Sequence, residues 1–345
     1  MENFIFSINV TLPIFIVILL GYVLKSLKVI NDNFVSVTNK YVFRVALPVL
    51  LFNDIATSDI LSQAKGNFVL FCMLCTTAMF LIVWLFAFLF LKDKTMVGAF
   101  AQAASRGSAA ILGVAFVENI CGNAGMAPLM IVSAVPLFNI LSVIILTFSS
   151  ELGKKSSVRG DGAVKEETKR GVAEEDNKEK GAAVRDRKKT IKKALVNILK
   201  NPIIIGIVLG IPFAIYKIKI PVMPSRVIDY IGRTATPMAL IAIGGGFNKK
   251  EALTRLKPAI WASLVKLIVL PMVFLPIAFK MKFAPSEMVA ILIMLASPTT
   301  VSAYVMAKEM DNDCVLTSNA IMLTTLFSSV SLTFWIYLLR SMGII

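Results

Sequence analysis

The sequence predicts an all-α integral membrane protein. It has ten transmembrane helices in two inverted five-helix repeats, with helices 4 and 9 broken and crossed. Three observations predict the spans and their repeat, and paired breakers in segments four and nine predict the breaks. Of 345 residues, 57% are hydrophobic and mean hydropathy is +0.78, well above a soluble domain. The apolar residues collect into ten segments near the length a bilayer demands, about 20 residues each. Finally, YVFRVALP at Tyr41–Pro48 returns about 190 residues later as YIGRTATP at Tyr230–Pro237. Each copy lies at the second of five segments. Two copies of an odd number of spans face opposite ways, as in carriers built from inverted repeats.

The segments run in order Ile8–Leu24, Tyr41–Ala56, Phe68–Leu91, Val97–Val117, Ala127–Phe148, Leu195–Tyr216, Val227–Phe247, Pro258–Phe279, Met288–Met306 and Val315–Leu339. Each is expected to be helical, because backbone groups in lipid must be satisfied within the segment. The N-terminus lacks a basic n-region and a cleavage site, so it reads as the first span rather than a signal peptide. Three units follow: a first repeat over 1–150, a linker over 151–193 and a second repeat over 194–345. The linker is rich in Lys, Glu, Gly and Asp without aromatics, so it is expected to be disordered. Its basic end, RDRKKTIKK, suits anionic lipid.

The net charge is +15, and it lies largely in loops, where it sets orientation. The linker and the connections carrying Lys25, Lys28, Lys92, Lys94 and Lys249–Lys257 are placed in the cytoplasm. Asp54, Asp59 and Glu118 then fall opposite, with Lys217–Lys219 running against the rule. Both termini come out extracytoplasmic in a multi-pass plasma (inner) membrane protein. Nucleic-acid binding is not expected, since the aromatics sit inside apolar runs. Histidine is absent, which removes the usual triads and most zinc sites. No enzyme activity, metal or cofactor is expected. Cys72 and Cys75 read as packing thiols inside an apolar run.

Paired interruptions at matching places in the two halves locate the candidate site. Segment four contains AASRGSAAILG, Ala103–Gly113, and segment nine contains LASPTTVSAYVMAKEM, Leu295–Met310. Each joins a helix breaker, Gly107 or Pro298, to small hydroxyl residues that can re-satisfy freed backbone groups. The polar candidates are Ser105, Ser108, Thr299 and Thr300. Arg106 is costly in mid-membrane. It is read either as a clamp for an anionic substrate or as a structural arginine bonding carbonyls freed at the break. Asn139 and Asn319 are secondary candidates, with interhelical hydrogen bonding as the plainer role. Arg44 and Arg233 lie near segment ends, where snorkelling accounts for them. Pro48 and Pro237 read as kinks.

LPIFIVILLGYVLKSLKVI, NKYVFRVALPVLLFNDIA, ASRGSAAILGVAF and ASPTTVSAYVMAKEM together resemble the auxin efflux carrier family, bacterial members included. The resemblance implies a fold like that of sodium–proton antiporters and bile-acid symporters. Helices 1, 2, 6 and 7 would form a scaffold, and helices 3–5 and 8–10 a moving transport domain. Substrates in the family are organic anions, auxin-like or malonate- and malate-like. Pro298 matches the crossover proline of helix 9. Arg106-Gly107-Ser108 matches a bacterial Arg-Gly-Asn pattern with Ser108 in place of asparagine.

The functional expectation is a secondary transporter of a small organic anion, working by elevator-type alternating access in contact with membrane lipid. The rival is a ligand-binding membrane sensor on the same fold. Coupling to H+ or Na+ and assembly as a homodimer are left open.

Overall fold

The computed structural model describes residues 2–57, 65–109, 117–118, 120, 125–162 and 194–345. Among these the chain is helical apart from connections and one isolated antiparallel bridge, Gly107 to Thr299. The first half gives α1 (Glu2–Ser26), α2 (Asp32–Tyr41), α3 (Leu47–Ala56), α4 (Gly66–Phe90), α5 (Val97–Ser105) and α6 (Ala127–Gly162). The second gives α7 (Pro202–Ile215), α8 (Val222–Arg233), α9 (Ala235–Gly245), α10 (Lys249–Thr254), α11 (Leu256–Leu264), α12 (Leu270–Lys280), α13 (Pro285–Ala296), α14 (Ser302–Glu309) and α15 (Cys314–Ser341).

Five described stretches are long and apolar enough to cross a membrane: Asp32–Ala56, Gly66–Phe90, Ala127–Ser150, Leu256–Lys280 and Cys314–Ser341. Of the other expected segments, the first is continuous in α1, 25 residues long, α7 is shorter, and segments seven and nine are interrupted. The run Asp32–Ala56 stays continuous through a widened π turn, Val42–Ala46. Pro48 sits in the first turn of α3 and has no N–H for the preceding carbonyls, so the ladder slips there. At the second copy, Thr234 interrupts the helix just before Pro237, between α8 and α9. The two copies touch, Tyr41 Oη to Thr234 Oγ1 at 2.9 Å.

Ion pairs sort the connections into two ends. Arg255, after α10, pairs with Asp93 at 3.3 Å and Asp313 at 2.7 Å, which gathers the 92–94, 249–257 and 310–313 connections. At the other end Lys65, before α4, meets Glu287 of α13 at 2.8 Å. The sharing of one side by Lys92, Lys94 and Lys249–Lys257 is thus a feature of the packing.

Buried apolar side chains form two bodies. One joins α4, α5 and α6 to α11–α13 and α15, around Phe80, Phe100, Met130 and Ile291. The other joins α1, α3, α7 and α9 around Leu47, Ile55, Ile207 and Ile243, with Val305 and Met306 of α14 inserted. The helices of the second body approach closely at glycines. A Cβ on Gly244 would overlap the Ile18 carbonyl of α1, and one on Gly206 would overlap the Pro48 carbonyl of α3. Such small-residue contacts supply the van der Waals packing that holds helices together when lipid gives no hydrophobic drive.

One boundary differs from the sequence expectation. The helix that starts at Ala127 runs on to Gly162, past the expected linker start at 151. The added stretch contains Glu, Leu, Lys and Arg, which favour helix, and it ends among glycines. The rest of the linker, 163–193, lies outside the described residues, as do Asp59, Gly113 and Cys121. Cys72 and Cys75 are buried and free.

Candidate functional site

The two interruptions face each other. Helix α5 ends at Ser105, and Arg106, with φ −81° and ψ 120°, leaves it in extended backbone. Helix α13 ends at Ala296, and Ser297 is likewise extended (φ −63°, ψ 148°) before α14 begins at Ser302. The extended stretches pair: Ser108 N–H donates to the Pro298 carbonyl at 2.8 Å. This gives an unwound backbone inside a helical protein the partner it needs. A Cβ at Gly107 would overlap Ser297 Oγ and stand 3.1 Å from Lys266 Nζ, so a side chain there would force the crossing to shift.

Beside the crossing lies a cavity of about 320 Å³. Arg106, Ser108, Asn139, Thr300 and Ser302 form its polar side, and Leu47, Leu50, Leu51, Val135 and Phe138 its apolar wall. Asp54 and Arg233, from the ends of α3 and α8, also line it. The cavity therefore lies between the two apolar bodies, at the junction of α3 and α8 with the crossing.

Arg106 is 5% exposed. Its guanidinium donates to Asn139 Oδ1 at 2.6 Å and Ser302 Oγ at 2.9 Å, and it contacts the sulfur of Met306. No carboxylate among the described residues pairs with it. Asn139 is oriented for this by its own amide, which donates to the Val135 carbonyl at 2.8 Å. The N-terminus of α14, at Ser302, adds partial positive charge on the same side. Cation, helix N-terminus and hydroxyls thus face one space, and that combination favours an anion.

The expected residues divide. Arg106, Ser108, Thr300 and Asn139 line the cavity. Thr299 does not: its hydroxyl donates to the Ala103 carbonyl at 2.7 Å and its N–H to Thr324 Oγ1 at 3.0 Å. Ser105 is buried against Met79, 3.5 Å from its carbonyl. Asn319 donates to the Ala252 carbonyl at 2.7 Å, an interhelical bond away from the cavity. Gly107 and Pro298 sit in the interruptions themselves. Arg233 is exposed and pairs with Asp229 at 2.8 Å, and Arg44 is exposed.

Two residues were missed. Ser302 was readable as one more hydroxyl beyond Thr300. Lys266 stands in mid-segment in Pro258–Phe279, and the cost of an intramembrane charge, applied to Arg106, would have found it.

A family model described as membrane transport protein matches residues 6–336. Among curated relatives, a protein of Methanothermobacter thermautotrophicus named "Uncharacterized transporter" is 22% identical over 337 residues, covering 96% of this chain and 98% of that one. A Rhizobium meliloti protein named "Putative malonate transporter" is 23% identical over 340 residues, covering 96% of each.

Proposed function

The chain belongs to the membrane transport protein family, that of the auxin efflux carriers, and on that premise we propose that it is a secondary carrier of a small organic anion. The observation that carries the reading is Arg106, a buried cation with no carboxylate partner among the described residues, lining a cavity of about 320 Å³ at the crossing. A buried charge without a partner is expensive. A carboxylate entering the cavity would supply one, in a geometry a guanidinium can meet with two parallel bonds. Ser108, Thr300 and Ser302 are assigned the remaining polar contacts, and the leucines and Phe138 the apolar part of the substrate. The relative named for malonate makes dicarboxylates the first class to try.

The movement proposed is an elevator. The body built on α4–α6, α11–α13 and α15 carries the crossing, and the body built on α1, α3, α7 and α9 stays in place. The cavity's position between them supports this, since sliding one past the other would change which side it opens to. The proposed topology is ten spans in two inverted repeats, with the 92–94 and 249–257 connections cytoplasmic. In support, α1 leads into the end that holds Asp32, while its counterpart α7 starts at that end, where Asn201 meets Met310 at 3.7 Å.

The test is uptake by purified protein in liposomes over a panel of mono- and dicarboxylates, with proton and sodium gradients imposed separately. Saturable uptake of one carboxylate class supports the carrier. Saturable binding without flux would replace it with a sensor.

A further inference from the structure

A second cation, Lys266, lies inside the helix array and is wholly buried. It sits on a widened π turn, Val265–Val269, between α11 and α12, a distortion often found at functional sites. Its ammonium does not face the cavity. It reaches the other side of the crossing, donating to the Ser105 carbonyl at 3.0 Å and the Met294 carbonyl at 3.4 Å.

Both carbonyls are ones the interruptions set free. Ser105 closes α5, so its oxygen has no helical N–H ahead of it. Met294 lies in the last turn of α13, and the residue four positions on, which would donate to it, is Pro298; proline has no N–H to give. Two helix C-termini, each with partial negative charge, therefore converge on one point. A third oxygen stands there unused. Ser297 Oγ is buried without a hydrogen-bond partner among the described residues, and like Lys266 Nζ it lies against Gly107. Two carbonyls and a hydroxyl around negative helix ends are the kind of ligand set a small hard cation takes.

We propose that Lys266 is a built-in counter-ion, filling in covalent form a monovalent-cation site at the crossing, so that the anion cycle needs no free sodium. Its ammonium supplies the charge that the two C-termini attract, and it travels with the crossing instead of being bound and released. Methionine at this position would fill the volume and leave the carbonyls without a donor; alanine would leave the oxygens and open the space. The flux part of this inference rests on the carrier reading, and the site part does not.

The experiment compares melting of purified wild type, Lys266→Ala and Lys266→Met in choline, sodium, lithium and methylammonium chloride at one ionic strength. Wild type is expected to melt alike in all four. Lys266→Ala is expected to melt lower in choline and to recover by several degrees, saturably, with methylammonium or sodium. Lys266→Met is expected to melt low in all four salts. A saturable sodium-induced rise in wild type, or a folded Lys266→Ala indifferent to every cation, overturns the proposal. If Lys266→Ala does not fold, wild-type malonate uptake decides. Equal rates with sodium or choline on both sides support the proposal, and a sodium requirement defeats it. Absence of uptake for every carboxylate, with cation recovery of Lys266→Ala intact, would sink the carrier reading and leave the site standing.

Discussion

Arg106→Gln removes the charge while keeping a polar side chain of similar reach. In the wild-type cavity a bound carboxylate would take two charge-assisted hydrogen bonds from the guanidinium, each contributing about 1.5–3 kcal/mol. Glutamine can return one neutral bond, about 1 kcal/mol, so the net loss is about 2–5 kcal/mol. At about 1.4 kcal/mol per tenfold, uptake at limiting substrate should fall roughly 30-fold to several thousand-fold. Folding should change little. The variant loses donors to Asn139 Oδ1 and Ser302 Oγ, but it also loses a buried cation that has no carboxylate among the described residues to offset its desolvation. The assay is initial-rate malonate uptake in liposomes beside a melting curve, with Arg106→Lys as a charge-preserving control. Uptake within threefold of wild type at unchanged KM would refute the clamp. A collapse in melting with no folded protein would assign Arg106 a structural role instead.

Gly244→Ala should lower melting by the equivalent of about 1–3 kcal/mol or more, because the new Cβ meets backbone of α1; Gly66→Ala, with nothing within 4 Å, is the neutral control. Pro298→Ala restores a donor for Met294 and competes with Lys266, so uptake should fall while melting holds or rises; unchanged kinetics would count against a functional interruption. Asp93 lies between spans; burial raises its carboxyl, but donors from Thr95 and Arg255 outweigh this and hold it below its ordinary value. A depressed native pKa stabilises above the ordinary carboxylate range, about pH 4, and that stability is lost as pH falls through the native pKa. The melting gap between wild type and Asp93→Asn should therefore be widest above about pH 4 and close below it. Lys65→Ala should cost about 1–3 kcal/mol, since Glu287, 8% exposed, would keep its charge without its cation.

The helical character and the places where helices fail were legible because both rest on local chemistry. A breaker beside hydroxyls marked 105–108 and 297–300, and the chain unwinds in both. Which hydroxyl faces the cavity was not legible. In extended backbone neighbouring side chains point to opposite sides, so Thr300 lines the space while Thr299 turns inward to the Ala103 carbonyl. A composition window cannot assign that alternation without knowing where the extended stretch begins. The tyrosine–arginine–proline motif was legible as a repeat, but its contact was not. Only packing of α2 and its π turn against α8 and α9 brings Tyr41 to Thr234.

The two buried cations also resolve what the sequence left as alternatives for one. Arg106 was a candidate both for clamping an anion and for bonding the carbonyls freed at the interruption. The second task is done by Lys266, which holds Ser105 and Met294. Arg106 spends its bonds on side chains, Asn139 and Ser302, that share the cavity with it. The division follows the polarity of the half-helices. Helices α5 and α13 bring their C-terminal ends to the crossing, and a cation belongs there; α14 brings its N-terminal end, and an anion belongs there. A charge-conserving exchange, Arg106→Lys with Lys266→Arg, should therefore fail on both counts. The planar guanidinium would be forced into the point site under Gly107, and the ammonium could not grip a carboxylate with two parallel bonds. Wild-type melting and wild-type uptake in that double variant would show that only the count of charges matters, not their placement.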